Sequence, residues 1–405
     1  MSQPWARAQP PSESIAIYNW EVGRRLAAAG EEVEIVGPLL GDAADGEVEG
    51  VSLRYLGIDG DWRLRRLLEP VERRLGSRLP LFATRAFFPL YVRRVAALLA
   101  ERPPDVVHVH NLLGAVPVLR RALPRARIVL HLHAEWLGLL PRRLSLGPAR
   151  AADAIVGPSR YVVDAAARAL PELAGRIAVA PNGVDTALFT PAAEGERESA
   201  RIIAVGRISP EKGIHVLLDA FGRLLERLPQ ARLALVGKEA LTPPELLVGL
   251  SDEPAVQALS RFYPGPYLEP LLQRAGPAVG AAVDLVGEVG HTATAAEYRR
   301  SALVVNSSLS ESFGLSAIEG MASGLPVVAT RAGGLPETVE DGVTGLLVEP
   351  GDAVALAAAM ERALGEPELA AGFGAAGRER ALARYDWSAA ATAAREIYAG
   401  TAVAA

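Results

Sequence analysis

The stretch Val304–Ala329, with the sequence VVNSSLSESFGLSAIEGMASGLPVVA, decides the fold of this chain. Its first residues read as a buried strand, and the polar residues that follow read as a turn. A helix then leads into a second buried strand that ends at Ala329. A strand–helix–strand unit of this kind predicts parallel strands joined by a crossover helix.

Two carboxylates accompany the start of the predicted helix. Glu311 lies just ahead of it, and Glu319 lies about two turns further along the chain, near the positive end of the helix dipole. The amides of Gly314 and Leu315 would be first-turn donors without a helical partner, which suits a phosphate. This combination predicts a ligand with phosphate at one end and hydroxyl groups at the other, and a nucleotide sugar fits that description.

The rest of the chain repeats the alternation of apolar strands and helices twice, which predicts an α/β fold with two Rossmann-like domains. We expect domains at 1–187 and 188–387, a hinge at Thr186–Ser199, and a C-terminal helix at 388–405 that packs back onto the first domain. Arg207 follows one predicted strand and Ser307 follows another, so both should lie on the same edge of a sheet. The predicted strands are Glu32–Val36, Val106–Val109, Ile128–Leu132, Ala154–Val156, Ile177–Ala180, Ile202–Val205, Leu233–Val236, Val283–Leu285, Leu303–Asn306, Val327–Ala329 and Leu346–Val348.

Four segments resemble the retaining glycosyltransferases of family four, which have the GT-B fold. They are Glu311 to Glu319 with Phe313-Gly314-Leu315 between them, Val205–Gly213, Ala180–Asp185, and Gly333–Glu337, which is followed by Thr344–Val348. The resemblance implies a sugar transfer that retains the anomeric configuration and needs no metal or other cofactor. It also implies that the donor binds the second domain and an unidentified acceptor binds the first.

The resemblance further implies roles for individual residues. Arg207 and Lys212 would hold the donor diphosphate, where fixed cations stabilise the charge that develops on the leaving group. Glu319 would bind the ribose hydroxyls, and Glu311 would position the transferred sugar. The segment Phe313-Gly314-Leu315 would complete the donor site. A sugar-nucleotide epimerase of the same fold and a non-catalytic nucleotide-sugar-binding or scaffold protein remain as alternatives.

Four histidines form two His-x-His pairs on neighbouring predicted strands, at His108, His110, His131 and His133. Alternation along a strand places both members of a pair on one face, which raises the alternative of a metal site. The resemblance instead implies that His133 is an active-site residue near the sugar, with His108 and His131 in packing roles. Asp59-Gly60-Asp61 forms an Asp-x-Asp sequence, which we interpret as a turn rather than a metal ligand set.

Composition restricts the remaining possibilities. The chain of 405 residues has no cysteine, which excludes thiol nucleophiles and zinc–thiolate sites and predicts a cytoplasmic location. The segment Trp62–Arg94 carries nine arginines against Glu69 and Glu72. One interpretation of this segment is a solvated helix face. The other is a binding surface, either for anionic lipid on the inner face of a membrane or for an anionic acceptor. The net charge of −5 and the lack of interleaved aromatic and basic residues argue against nucleic acid as a partner.

Two segments depart from the family pattern. Pro10–Ile15 stands where a strand and a glycine-rich loop are expected, so either the true start lies upstream or the edge of the first sheet is unusual. Ala240–Gly265 is long and rich in proline, and loops of that length are often functional.

Overall fold

A computed structural model describes residues 1, 3, 13–75, 81–244, 247–251 and 253–401, with the side chains of 71–75 left out. The chain divides into two compact units. The N-terminal unit runs to Asn182 and includes the helix that begins at Trp387, and the C-terminal unit is Gly183–Asp386. The division lies slightly before the expected boundary at 187/188.

The N-terminal unit contains two sheets, whose strand orders are β1-β3-β2 and β4-β5-β6-β7. All pairs are parallel except the antiparallel pair of β2 and β3. The elements of this unit are α1 (Ser14–Ala28), β1 (Val33–Pro38), β2 (Gly46–Val48), β3 (Val51–Leu56), α2 (Asp59–Leu75), α3 (Pro89–Glu101), β4 (Val106–His110), α4 (Val116–Ala122), β5 (Arg127–His131), α5 (Trp136–Leu139), α6 (Arg142–Ala149), β6 (Ala154–Gly157), α7 (Arg160–Ala169), β7 (Ile177–Val179) and α17 (Trp387–Ala399).

The C-terminal unit contains one parallel sheet of six strands in the order β10-β9-β8-β11-β12-β13. Its elements are β8 (Arg201–Val205), α8 (Ile214–Leu225), β9 (Arg232–Val236), α9 (Pro254–Gln257), α10 (Leu268–Ala275), α11 (Pro277–Ala282), β10 (Val283–Gly287), α12 (His291–Arg300), β11 (Leu303–Asn306), α13 (Leu315–Ala322), β12 (Val327–Thr330), α14 (Leu335–Thr338), β13 (Gly345–Val348), α15 (Ala353–Gly365) and α16 (Pro367–Arg384).

Both faces of the central strands of this six-stranded sheet are buried, which explains why those strands read as continuous apolar runs. Ile202 of β8 packs in one core with residues of α8 and α15, whereas the next residue, Ile203, packs in the opposite core with residues of α12 and α13. The same alternation runs through β11, where Val304 and Val305 lie in different cores. The predicted fold class, an α/β protein with two Rossmann-like domains, is therefore confirmed.

All eleven predicted strands occur, with ends shifted by up to two residues. The short strands β2 and β3 were missed. β2 is exposed along its whole length, and β3 mixes buried and exposed residues, so neither shows the continuous apolar run of a central strand. Of the unusual segment Pro10–Ile15, residues 10–12 lie outside the described part of the chain, and Ser14 already begins α1.

The last helix belongs to the N-terminal unit. Trp387 and Ala394 of α17 share a core with Tyr18 and Val22 of α1, and Ile397 packs against the β4–β7 sheet. Helix α17 ends at Ala399, and residues 402–405 of the expected helix lie outside the described part.

The segment Thr186–Ser199, predicted as a hinge, lies within the C-terminal unit from its first residue. Val184 donates its amide to the carbonyl of Tyr385 over 2.7 Å. The hydroxyl of Thr186 lies 2.6 Å from Oδ2 of Asp386. These bonds anchor the start of the segment to the end of the same unit.

Candidate active site

Two neighbouring strands of the C-terminal unit end at one edge of its sheet. β8 ends at Val205 and leads into Gly206 and Arg207, and β11 ends at Asn306 and leads into the loop 307–314. The two strands pair in parallel, so their carboxyl ends meet at the same edge. The loops also bond directly, because the amide of Leu309 donates to the carbonyl of Glu211 over 2.8 Å. The predicted juxtaposition of these two segments is therefore present.

Lys212 and Glu311 form an ion pair at this edge. Nζ of Lys212 lies 2.7 Å from Oε2 of Glu311, and both side chains are largely buried. The amide of Asn306 and the hydroxyl of Ser308 lie 3.5 Å and 3.4 Å from the same oxygen. Burial alone would raise the pKa of Glu311, but the charge of Lys212 and the surrounding hydrogen bonds outweigh it and lower the pKa. Glu311 is therefore ionised at neutral pH.

Arg207 is held by a carboxylate and a hydroxyl. Its Nη2 lies 2.9 Å from Oε1 of Glu211, and its Nη1 donates to Oγ1 of Thr242 over 2.6 Å. The hydroxyl of Thr242 in turn donates to Oε1 of Glu211 over 2.9 Å. The side chain of Glu211 is 5 % exposed, whereas that of Arg207 is 46 % exposed. The guanidinium is thus anchored on its inner side and open to a ligand on its outer side.

Glu319 lies one turn into α13, where its carboxylate meets a tyrosine of α12. The hydroxyl of Tyr298 donates to Oε2 of Glu319 over 2.8 Å. Burial raises the pKa of Glu319 to about 7, and the hydrogen bond from Tyr298 offsets only part of that effect. Without a ligand, the carboxyl group is therefore partly protonated at neutral pH.

The three residues between the two carboxylates differ in what they can offer a ligand. Phe313 is 5 % exposed, and its ring packs edge-on against Tyr385 in the core. Gly314 precedes α13 with a φ of 98°, where an added Cβ would lie 2.6 Å from Cδ2 of Leu335. Leu315 is the first residue of α13, so its amide has no partner within the helix. Any donor contact from Phe313 would therefore come from its main chain.

The four histidines lie in the N-terminal unit as two stacked layers. Nε2 of His108 lies 3.1 Å from Nδ1 of His131, and Nδ1 of His110 lies 2.9 Å from Nε2 of His133. The ring of His108 stacks on that of His110 with centroids 4.4 Å apart, and the ring of His131 stacks on that of His133 at 4.1 Å. Tyr18 contacts all four rings edge-on.

This arrangement favours hydrogen-bonded pairs over a metal site. Ring nitrogens of His108, His110 and His131 lie within 4.8 Å of one another, close enough to be considered as ligands. However, the ring planes of His108 and His131 differ by only 10°, and within each layer one ring nitrogen faces the other across a hydrogen bond, which leaves neither of those nitrogens free to bind a metal. Burial lowers the pKa of every member, that of His133 to about 3, so all four rings are neutral.

The sequence agrees with two family profiles that cover the two units in turn. Residues 15–188 match the profile described as Glycosyltransferase Family 4, and residues 190–380 match Glycosyl transferases group 1. The chain belongs to the group 1 glycosyltransferases. It is therefore an enzyme of the glycosyltransferase class, and the resemblance inferred from the motifs is confirmed.

Individual relatives agree with this assignment. The chain is 32 % identical over 415 residues to D-inositol 3-phosphate glycosyltransferase 2 of Catenulispora acidiphila, covering 94 % of this chain and 88 % of the relative. Sucrose-phosphate synthase from Thermosynechococcus elongatus has a similar structure, with a TM-score of 0.73, 25 % identity and coverage of 95 % and 92 %. The structure of Anabaena HepE in complex with UDP-glucose shares the fold, with a TM-score of 0.68, 20 % identity and 98 % of each chain covered.

Sequence reasoning missed several side chains that hold the predicted site residues in place. Tyr298 was not singled out, because a tyrosine in an amphipathic helix reads as a core residue. Thr242 lies at the start of the long segment Ala240–Gly265, whose role was not predicted. Part of this segment forms α9, and Phe262 packs against His215 at the start of α8, with ring centroids 4.5 Å apart. Within the described part of this segment, Thr242 contacts Arg207 and Phe262 packs beside α8.

The Asp-x-Asp sequence of the glycosyltransferase has a structural role, but it is not a separate turn. Asp59 and Asp61 lie in the first turn of α2. The carboxylate of Asp61 is buried and accepts the amides of Leu90 and Tyr91 over 2.8 Å and 2.9 Å. These are first-turn amides of α3, so Asp61 caps that helix from a neighbouring element.

Proposed function

We propose that this enzyme transfers a sugar from a nucleotide-sugar donor to a hydroxyl-bearing acceptor, with retention of the anomeric configuration and without a metal ion. The observation that carries the proposal is the pair of cations at one sheet edge, Lys212 and Arg207, beside the ionised Glu311 and the start of α13. These groups suit a diphosphate joined to a sugar. The UDP-glucose complex of the fold relative HepE supports a donor of this class.

Charge stabilisation is the main chemical contribution of this edge. Breaking the sugar–phosphate bond leaves negative charge on the leaving diphosphate, and the fixed cations Arg207 and Lys212 would stabilise it as it develops. Because two protein cations are already in place, the transfer needs no divalent ion for this purpose. The acceptor loses a proton as its oxygen attacks, and the oxygen of the leaving phosphate takes that proton on the same face of the sugar.

The carboxylates would orient the two ends of the donor. A carboxylate suits vicinal hydroxyls because it accepts several hydrogen bonds and donates none. Glu319 would bind the ribose hydroxyls, and the ionised Glu311 would position the hydroxyls of the transferred sugar. His133 is neutral, and Nε2 pairs with His110, so Nδ1 is the ring nitrogen it could offer to a sugar hydroxyl.

A screen of donors followed by product analysis tests the proposal. UDP-, GDP- and ADP-sugars should be compared by thermal shift, because a donor that binds only the folded protein raises its melting temperature. NMR of the first product formed from the best donor should show the anomeric configuration of that donor. Turnover should continue after dialysis against EDTA. An inverted product would overturn the retaining mechanism, and binding without turnover would favour a scaffold protein.

We also propose that the enzyme contacts anionic membranes through α2. Arg63, Arg66 and Leu67 are exposed and lie at helical spacing on one side of α2, where Leu67 is 74 % exposed. Arg93 and Arg94 of α3 are exposed as well. Basic side chains around an exposed leucine are typical of helices that lie on a lipid surface. No described helix is long and apolar enough to cross a bilayer, so such contact would be peripheral.

A further inference from the structure

Tyr298 connects α12 to the carboxylate of α13. Its side chain is completely buried, and its ring packs edge-on against Phe189 with centroids 5.6 Å apart. Its hydroxyl lies 2.8 Å from Oε2 of Glu319 and 3.1 Å from the carbonyl oxygen of Ser316. The ring therefore cannot move without disturbing the core, and the hydroxyl is a fixed point beside Glu319.

The single hydroxyl proton can serve either acceptor, depending on the charge of Glu319. An ionised carboxylate attracts the proton more strongly than a neutral carbonyl, so the bond to Oε2 dominates in that state. When Glu319 is protonated, its own proton can bond to the oxygen of Tyr298, and the hydroxyl then donates to Ser316. In both states Tyr298 anchors Glu319 through Oε2.

We infer that Tyr298 is a positioning residue for the donor, which holds Oε2 of Glu319 and thereby presents Oε1 to the vicinal hydroxyls of the ribose. The inference rests on the proposed function, since it assumes a nucleotide at this edge. An unanchored glutamate would lose rotamer freedom each time a ligand bound. Anchoring it in the free enzyme removes most of that cost and selects nucleotides that carry both ribose hydroxyls.

The test compares Tyr298→Phe with Tyr385→Phe. Tyr385 is also buried in this core, and its hydroxyl donates to the carbonyl of Glu337 over 3.1 Å, so both variants lose one hydroxyl from the same unit. The probes are UDP, GDP and ADP, of which the tightest binder is compared with its 2′-deoxy form by calorimetry. Tyr298→Phe should weaken binding of the ribonucleotide about tenfold and leave binding of the deoxy form nearly unchanged.

The ratio of the two affinities is the deciding measurement, because a general loss of stability would weaken both ligands alike. Tyr385→Phe should keep the wild-type ratio. Steady-state kinetics of Tyr298→Phe should show a raised KM for the donor with a smaller change in kcat. If Tyr298→Phe does not fold, Glu319→Asp serves instead, because its shorter side chain cannot keep both contacts and should show the same loss of ribose selectivity.

The possible failures can be told apart. Wild-type protein that binds none of the three nucleotides would overturn the proposed function, and this inference with it. Wild-type protein that binds ribo and deoxy forms equally would overturn the assignment of Glu319 to the ribose. Tyr298→Phe that keeps the wild-type ratio, while Glu319→Ala loses it, would overturn the positioning role alone.

Discussion

Lys212 and Glu311 show how single residues at this edge depend on each other. The pair is 2.7 Å apart and largely buried, so the lysine keeps the carboxylate charged and the carboxylate holds the lysine beside the strand end. Glu211 holds Arg207 in a similar way, with Thr242 as the third member. The two side chains proposed to bind the diphosphate are therefore held in place before the donor binds, which lowers the entropic cost of binding.

Replacing either of the cations Arg207 and Lys212 should strongly lower kcat/KM for the donor. We expect Lys212→Ala and Arg207→Ala each to lower kcat/KM for the donor at least about tenfold, since each charge-assisted contact contributes about 1.5–3 kcal/mol. The chain offers a matched control in its second lysine, because Lys238 is exposed and pairs with Glu288. Lys238→Ala should leave kcat/KM unchanged. If Lys212→Ala and Lys238→Ala had the same kcat/KM for the donor, the assignment of Lys212 to the donor site would be wrong.

Glu319 should reduce the stability of the free protein at alkaline pH. Its pKa rises from 4.5 to about 7 on folding, so its contribution to stability is complete below pH 4.5 and is lost as the pH rises through 7. Glu319→Gln should therefore raise the free energy of unfolding by about 1–3 kcal/mol at pH 8 and by much less at pH 5.

Denaturant unfolding at both pH values checks this expectation, with Glu379→Gln as the control on an exposed face of α16. A gain for Glu319→Gln that was the same at pH 5 and pH 8 would contradict the raised pKa. A gain confined to pH 8 would show that a binding carboxylate is kept at a cost to stability, as functional sites often show.

At the scale of elements, the site depends on loops and a helix that approach each other closely. Gly213 has a φ of 66°, and an added Cβ would lie 2.0 Å from the carbonyl oxygen of Ser307. Gly320 of α13 faces β11, where an added Cβ would lie 2.5 Å from Cγ2 of Val304. Gly213 lets the loop after β8 approach the loop after β11, where Lys212 pairs with Glu311. Gly320 lets α13, which carries Glu319, pack closely on β11.

Gly213→Ala should disturb stability and donor binding together. A left-handed backbone costs an alanine about 1–2 kcal/mol, and the contact with Ser307 adds to that cost by moving the loop of Lys212. Gly372→Ala is the matched control, because an added Cβ there meets nothing within 4 Å on α16. We expect a lower unfolding midpoint and a raised donor KM for Gly213→Ala only. An unchanged KM would show that the loop does not need this close approach.

At the scale of the whole molecule, charge is unevenly distributed. Residues 1–190 carry 24 arginines and 20 acidic side chains, whereas the remainder carries 18 basic and 27 acidic residues. The first half therefore has an excess of four positive charges and the second half an excess of nine negative charges. The exposed arginines of α2 and α3 place part of the positive excess on the surface of the N-terminal unit.

This distribution predicts binding to anionic vesicles that weakens with salt, because the attraction is screened over about 8 Å at physiological ionic strength. Arg63→Glu with Arg66→Glu should release the protein from vesicles of phosphatidylglycerol but keep the thermal shift caused by the donor. The control is Arg223→Glu with Arg227→Glu, two exposed arginines of the C-terminal unit. Wild-type protein that stayed unbound at low salt would end the membrane proposal.

The sequence alone determined the fold class, the eleven main strands and the positions of the motif residues. Strands buried on both faces must be apolar throughout, and that requirement is visible in a linear pattern. Arg207 and Ser307 were expected at one edge because each follows a predicted strand, and the carboxyl ends of parallel strands meet at one edge. The roles proposed for Arg207, Lys212, Glu311 and Glu319 come from the resemblance of their motifs to the glycosyltransferase family.

Only the tertiary structure decided which side chains support those residues. Tyr298 and Glu319 are 21 positions apart, Asp61 and Leu90 are 29 apart, and Arg207 and Thr242 are 35 apart. No local pattern predicts such pairs, because each contact depends on how two or more elements pack. The four histidines show the same limit. The sequence placed them on neighbouring strands, but the angles between their rings follow from packing around Tyr18. Those angles favour hydrogen-bonded pairs over a metal site.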